Sequence, residues 1–114
     1  MATYKKIQKL KEKEGFKSIT IYDKEKVIGN ILLFIEEESG QRFGWLEDMF
    51  ISKGYRNEGL GNYLVIKGLQ YFKSNGMHEC RLELWSANRR ATNLYNKVGY
   101  KIIEETQSSI GMAI

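Results

Sequence analysis

Three residues in the stretch Tyr55 to Leu64, YRNEGLGNYL, have the types and spacing to hold an anion: Arg56, Gly59 and Gly61. Arginine carries a permanent charge and a planar fork of donors that matches phosphate oxygens. The glycines lack Cβ atoms, so a ligand can approach the backbone closely. The stretch also opens a segment of helical periodicity, in which Leu60, Leu64, Val65, Leu69 and Phe72 form one apolar stripe. The first-turn amides of a helix have no intrahelical acceptor, and the helix dipole adds partial positive charge at that end. Together these features make an anion site with phosphate as its natural guest. The competing reading of the same residues is a tight turn with a solvated arginine. Two phosphate motifs are excluded: no G-K-[ST] follows, and the spacing is not G-x-G-x-x-G.

The elements that would position this loop follow from the pattern on either side. Tyr4, Ile7 and Leu10 recur at a spacing that suggests a short helix, although the lysine density of residues 1–14 also suits an edge strand. Phe16 to Tyr22 alternates as a strand, and Val27 to Ile35 is β-rich and apolar on both faces, so the two should form a hairpin. EEESGQRFG reads as a polar loop and Trp45 to Ile51 as a third strand. A helix from about Leu60 to Ser74 stops at Asn75–Gly76. Cys80 to Trp85 alternates as a fourth strand. Asn88 is an N-cap type, and Ala91, Leu94, Tyr95 and Val98 give one face of a helix ended by Gly99. A strand begins at YKII, and SSIGMAI turns back as another. Strands three and four flank a helix, so they form a parallel βαβ unit, with the loop at a strand C-terminus where α/β proteins bind ligands. The expected fold class is α/β: a mixed, mostly antiparallel sheet with one central parallel pair and flanking helices.

Composition sets the outer limits. A chain of 114 residues is one domain, and 42% apolar with 28% charged residues is ordinary for a globular protein. The net charge of +4 favours anionic ligands only weakly. Cys80 is the single cysteine, which excludes an internal disulfide and suits a reducing interior. The sequence contains no apolar run of membrane-spanning length. A soluble, cytoplasmic chain with no membrane partner is expected. No basic stripe with interleaved aromatics argues for nucleic acid.

With these neighbours the loop resembles a known family. WLEDMFISKGYRNEGLGNYLVIKGLQYF followed by LELWSANRRATNLYNKVGYK is similar to two consecutive motifs of the GNAT superfamily of acetyl-CoA-dependent N-acetyltransferases. The resemblance covers about residues 27–103, and the LED-F wording is nearest the polyamine acetyltransferase branch. It implies acetyl-CoA (CoA) as cofactor, its pyrophosphate on Arg56, Asn57, Glu58, Gly59, Leu60, Gly61 and Asn62. The pantetheine arm would lie along Met49, Phe50 and Ile51, and Asn88, Arg89, Arg90 and Ala91 would meet the cofactor from the other side. The sequence departs from the family at Asn57, where glycine is usual, a mild change because Asn tolerates left-handed backbone. It departs more at the N-terminal region. The family has two helices between its first two strands, and here there is room for none or one. An acceptor site that is open, truncated or completed by another subunit follows as an expectation, and with it a homodimer, since uncovered apolar surface often forms interfaces.

Acetyl transfer to an amine needs a base, a polarised thioester carbonyl and a proton for the leaving thiolate. Glu47 is the candidate base. Strict alternation would put it on one face with Trp45, Met49 and Ile51, and a carboxylate among apolar neighbours is a stronger base because desolvation disfavours its charged form. The same alternation turns Asp48 to the other face as a structural residue. Water could serve as base instead of Glu47. Tyr95 is the candidate acid, since a phenol of pKa ~10 is protonated at neutral pH; its place on an apolar stripe also fits plain core. Glu83 and Trp85 share a strand face and could hold a cationic amine by charge and cation–π contact. Cys80 reads as inert core and His78 as an exposed loop residue, with no metal site. The reading is an acetyltransferase acting on a small-molecule or peptide amine; the alternative is a catalytically inactive CoA-binding or assembly module of the same fold.

Overall fold

In the computed structural model residues 4–114 are described. Their elements run α1 (Tyr4–Leu10), β1 (Lys17–Asp23), β2 (Lys26–Glu38), β3 (Gln41–Ile51), a 3-10 turn (Lys53–Tyr55), α2 (Leu60–Ser74), β4 (Cys80–Trp85), α3 (Arg89–Val98), β5 (Lys101–Glu105) and β6 (Ser109–Ala113). The N-terminal helix expected from Tyr4, Ile7 and Leu10 is present from residue 4; the start of that segment lies outside the described residues. The strands form one six-stranded sheet in the order β1-β2-β3-β4-β6-β5. Only β3 and β4 pair in parallel, and the other ladders are antiparallel. This is the α/β architecture anticipated from the pattern.

Each sheet face has its own cluster. Ile31, Leu33 and Ile35 of β2 join Leu46, Leu64, Val65, Phe72, Tyr95 and Tyr100 under α2 and α3. Leu32 and Phe34 join Leu10, Phe16 and Trp45 on the opposite face, where α1 sits. That two-sided burial is why β2 reads apolar at successive positions. Helix α2 lies close on β3: a Cβ on Gly44 would stand 2.5 Å from the Phe72 ring. The β1–β2 connection is a tight turn through Lys24, with φ of 56°, and has no helix in it. The single N-terminal helix precedes β1 instead.

Two expectations are corrected by the β2–β3 ladder. EEESGQRFG is not a loop. Glu36, Glu37 and Glu38 pair with Phe43, Arg42 and Gln41, and the chain reverses through Ser39 and Gly40 alone. Both turn residues have positive φ, 52° and 82°, the geometry of a primed two-residue hairpin turn. The charged side chains stay in solvent while their backbone completes the ladder. The second correction concerns Glu47. The register steps from Leu33↔Leu46 to Leu32↔Asp48, so Glu47 is the extra residue of a β-bulge. A bulge shifts the in–out alternation by one. Met49 and Ile51 therefore pack with Leu46 on the α2–α3 side, away from Trp45. Asp48 takes the register position opposite Leu32, on the face of Trp45, and not the reverse face that strict alternation gave it.

Candidate functional site

The site begins where β3 and β4 separate. Their ladder has three pairs, Gly44↔Cys80, Trp45↔Arg81 and Leu46↔Leu82, and stops there. Both strands continue, β3 to Ile51 and β4 to Trp85, so the β4-facing edge of residues 48–51 has no strand beside it. The N-termini of α2 and α3 meet at this opening, around a cleft of about 660 Å³. Met49, Phe50 and Ile51 line it from β3. Arg56, Asn57, Gly59, Leu60, Gly61 and Asn62 line it from the loop and α2. Asn88, Arg90 and Ala91 line it from α3. Glu58 and Arg89 are exposed and do not line the cleft.

The loop geometry explains its sequence. Asn57 and Gly59 adopt left-handed backbone, with φ of 66° and 81°. Gly59 is the N-cap of α2 and faces open space. Helix α2 makes its first intrahelical bond from the Tyr63 N–H to the Gly59 carbonyl, at 3.0 Å. Among the described residues the amides of 59–62 have no backbone acceptor. Gly61 has a different reason from close approach by a ligand: a Cβ there would sit 2.7 Å from Leu94 Cδ1 of α3. It is the glycine that lets α2 and α3 converge. Arg56 donates from Nε to the Ile51 carbonyl at 3.1 Å, which fixes the guanidinium and leaves its remaining N–H groups for a ligand. Tyr55 donates its hydroxyl to the Asp23 carboxylate, and Lys26 stands 5.8 Å above the Tyr55 ring. The β1–β2 turn thus braces the loop. Asn88 caps α3 as its type predicted, accepting from the Ala91 N–H at 3.2 Å.

Four lining residues escaped the sequence reading: Tyr55, Asn93, Leu94 and Lys97. Three of them stand with Arg90 at i, i+3, i+4 and i+7, one face of α3. That spacing is legible in the sequence: Leu94 belongs to the apolar stripe of α3, and the polar positions beside it mark the face that lines the cleft.

The candidate catalytic residues flank the cleft and do not line it. Trp45 donates from Nε1 to Glu47 Oε1 at 2.9 Å, which holds the half-buried carboxylate at the strand divergence. Tyr95 is 6% exposed and meets Tyr100 edge-on, with ring centroids 5.6 Å apart. Burial, and then the nearby Asp48 carboxylate, push the Tyr95 hydroxyl well above the usual tyrosine range. Asp48 is therefore the acid electrostatically coupled to Tyr95. Glu83 and Trp85 lie beyond the last β3–β4 pair, opposite Gly111 and Ser109 of β6, and both are exposed. Trp85 is 80% exposed. By register they share the Trp45 face, because Trp45 pairs with Arg81. Cys80 is buried and His78 exposed, as expected. Among the described residues no group of His, Cys, Asp and Glu could hold a metal, and no helix is long and apolar enough to cross a membrane.

Comparison with known proteins gives concordant results. The model of the acetyltransferase (GNAT) family matches residues 2–100. The chain is 25% identical over 80 residues to GCN5-related N-acetyltransferase 6, chloroplastic, of Arabidopsis thaliana, covering 70% of this chain and 28% of that protein. It is 29% identical over 63 residues to thialysine N-epsilon-acetyltransferase of Mus musculus, covering 55% of this chain and 37% of that one. The chain thus spans about a third of the length of these curated relatives. A GNAT-family acetyltransferase from Streptococcus pneumoniae superposes with a TM-score of 0.78 at 21% identity, over 100% of this chain and 77% of that one. The PaiA N-acetyltransferase from Thermoplasma acidophilum, solved in complex with coenzyme A, gives 0.77 at 22% identity, over 86% and 59%. At these identities the structures attest the fold.

Proposed function

The chain belongs to the acetyltransferase (GNAT) family, and on that premise we propose that it binds acetyl-CoA in the β3–β4 cleft and transfers the acetyl group to a primary amine. The observation that carries this reading is the strand divergence: a bare edge of β3 meets two helix N-termini and Arg56 in one cleft. The residues fit an elongated, polyanionic guest. The outward amides of 59–62 and Arg56 suit a pyrophosphate. The β3 edge suits an amide-bearing arm, which can add to it as a strand would. Bound acetyl-CoA would supply the thioester that the amine attacks directly.

The chain's own groups divide the remaining work. Glu47, or a water it holds, takes the proton from the incoming ammonium, because only the neutral amine has a lone pair to form the new N–C bond. Backbone amides near Phe50 polarise the acyl carbonyl. Tyr95 keeps its proton at neutral pH, because burial resists its ionisation; it would give that proton to the sulfur as the C–S bond breaks and be reprotonated by the second proton that the nitrogen sheds on becoming an amide. Glu83 and Trp85 hold the cationic acceptor. The name of the thialysine N-epsilon-acetyltransferase supports an amine-bearing acceptor, of small-molecule or peptide type. One observation favours the second reading, a CoA-binding module without turnover: the face carrying Glu83 and Trp85 is open to solvent. A thiol-release assay with acetyl-CoA and a panel of diamines, amino acids and peptides separates the two. Turnover that Glu47→Gln and Tyr95→Phe reduce by about 10²-fold or more supports the enzyme. CoA binding without turnover on any amine supports the module.

A further inference from the structure

We propose, on the reading of Glu47 as the base, that Trp45 is its positioning residue: the indole N–H holds the carboxylate at the strand divergence, and a brace from β2 and β4 fixes the indole. Glu47 needs such a partner because it is the extra residue of the β-bulge and has no counterpart on β2. The pleat aims an ordinary strand side chain. A bulged residue is released from that alternation, and bulges beside active sites re-aim a side chain. Here the aiming contact is the 2.9 Å bond from Trp45 Nε1 to Glu47 Oε1. A bond to a carboxylate is charge-assisted and roughly twice as strong as a neutral one.

The indole is itself held. In the sheet row it stands between Phe34 of β2 and Arg81 of β4. It packs on the cluster of Leu10, Leu32 and Phe34. Phe43, two residues back along β3, meets it edge-on, with ring centroids 6.5 Å and planes 64° apart. The Arg81 guanidinium stands 4.2 Å from the centroid of the Phe43 ring. Arg81 donates from Nε to Glu79 and from a terminal nitrogen to Glu38 at 3.2 Å. These two carboxylates come from different parts of the chain and keep the guanidinium over the ring. Support thus reaches Glu47 from β2 and β4 through two aromatic rings. None of Glu38, Phe43, Trp45, Glu79 and Arg81 lines the coenzyme cleft. A tryptophan present only as packing has no use for its N–H, so ring and N–H can be tested apart.

Trp45→Phe keeps an aromatic ring and deletes the donor. With acetyl-CoA and an amine that the wild type turns over, kcat is expected to fall about tenfold while the KM for acetyl-CoA holds. In a Glu47→Gln background the same change should have no further effect, because the two residues act as a unit. Arg81→Lys, which lacks the planar fork, should lower kcat by less and also lose its effect in that background. A second readout needs no turnover. The chain has two tryptophans, so its nitrogen–proton correlation spectrum carries two indole signals. The Trp45 signal is expected downfield, and Glu47→Gln should move it upfield while the Trp85 signal stays. A kcat that Trp45→Phe leaves intact, or lowers equally with and without Glu47, overturns the assignment. So does a Trp45 signal indifferent to Glu47→Gln. No turnover on any amine, with the Trp45 signal responding to Glu47→Gln, refutes the enzyme reading itself and the positioning role with it.

Discussion

Among single residues, Tyr95 and Asp48 are tied by charge: the Asp48 carboxylate adds to burial in holding the Tyr95 proton. A tyrosine on an apolar helix face is ordinary core, and its ring does pack on Tyr100. Its proposed catalytic part resides in the hydroxyl, whose proton burial and the Asp48 charge retain. Tyr95→Phe keeps the ring and removes the hydroxyl. We expect kcat to fall by about 10²-fold, with the KM for acetyl-CoA and the melting temperature nearly unchanged. A melting temperature that falls while kcat holds would return Tyr95 to the core. Asp48→Asn removes the charge that helps hold the proton, so tyrosinate should form at a lower pH in a near-ultraviolet titration. An unshifted titration would show that Asp48 does not act on Tyr95.

At the scale of elements, two glycines two residues apart in one loop do different work. Gly59→Ala meets no neighbour but keeps a left-handed φ, so it should cost about 1–2 kcal/mol. Gly61→Ala has ordinary backbone but drives a methyl into Leu94, and should cost about 1–3 kcal/mol. Leu94→Ala in that background should recover part of the loss, while it should not help Gly59→Ala. Urea unfolding of the four variants measures this, and equal rescue of both would refute the distinction. The sequence showed both helices because their stripes and caps are local: Leu64, Val65 and Phe72 on α2, Asn88 and Gly99 on α3. It also showed the parallel pair and the loop between β3 and α2. It hid the acidic half of the β2–β3 hairpin, because Glu36 to Glu38 lack strand propensity and are held by their ladder partners. It hid the bulge at Glu47 for a related reason: a one-residue slip is set by pairing with β2, not by β3 itself. Glu47 therefore parted from Met49 and Ile51, and Asp48 joined the face of Trp45, while most of the positions expected on the cofactor, Glu58 and Arg89 excepted, line the cleft.

For the whole molecule, stability should depend on alkaline pH. Burial, and then the Glu79 carboxylate, push the Cys80 thiol from 9.0 up to about 11. The folded state holds that proton more tightly than the unfolded chain. The stabilisation is therefore complete below the unfolded value and is lost as pH rises through the folded one. Tyr95 and Tyr100, both raised chiefly by burial, act in the same direction at higher pH. Melting temperature should be level near neutrality and decline between about 9 and 11, and Cys80→Ala should flatten the first part of that decline. A Cys80→Ala profile parallel to wild type would contradict this cause. The diverging strands, the loop amides and Arg56 are proposed to form one coenzyme site. Calorimetric titration with acetyl-CoA, wild type beside Arg56→Glu, tests it most directly. Arg56 is exposed, so the variant should remain folded. One site per chain is expected for the wild type, weakened at least about tenfold in the variant by the loss of a charge-assisted contact. No heat of binding from folded wild-type protein, or equal binding by the two, would contradict it.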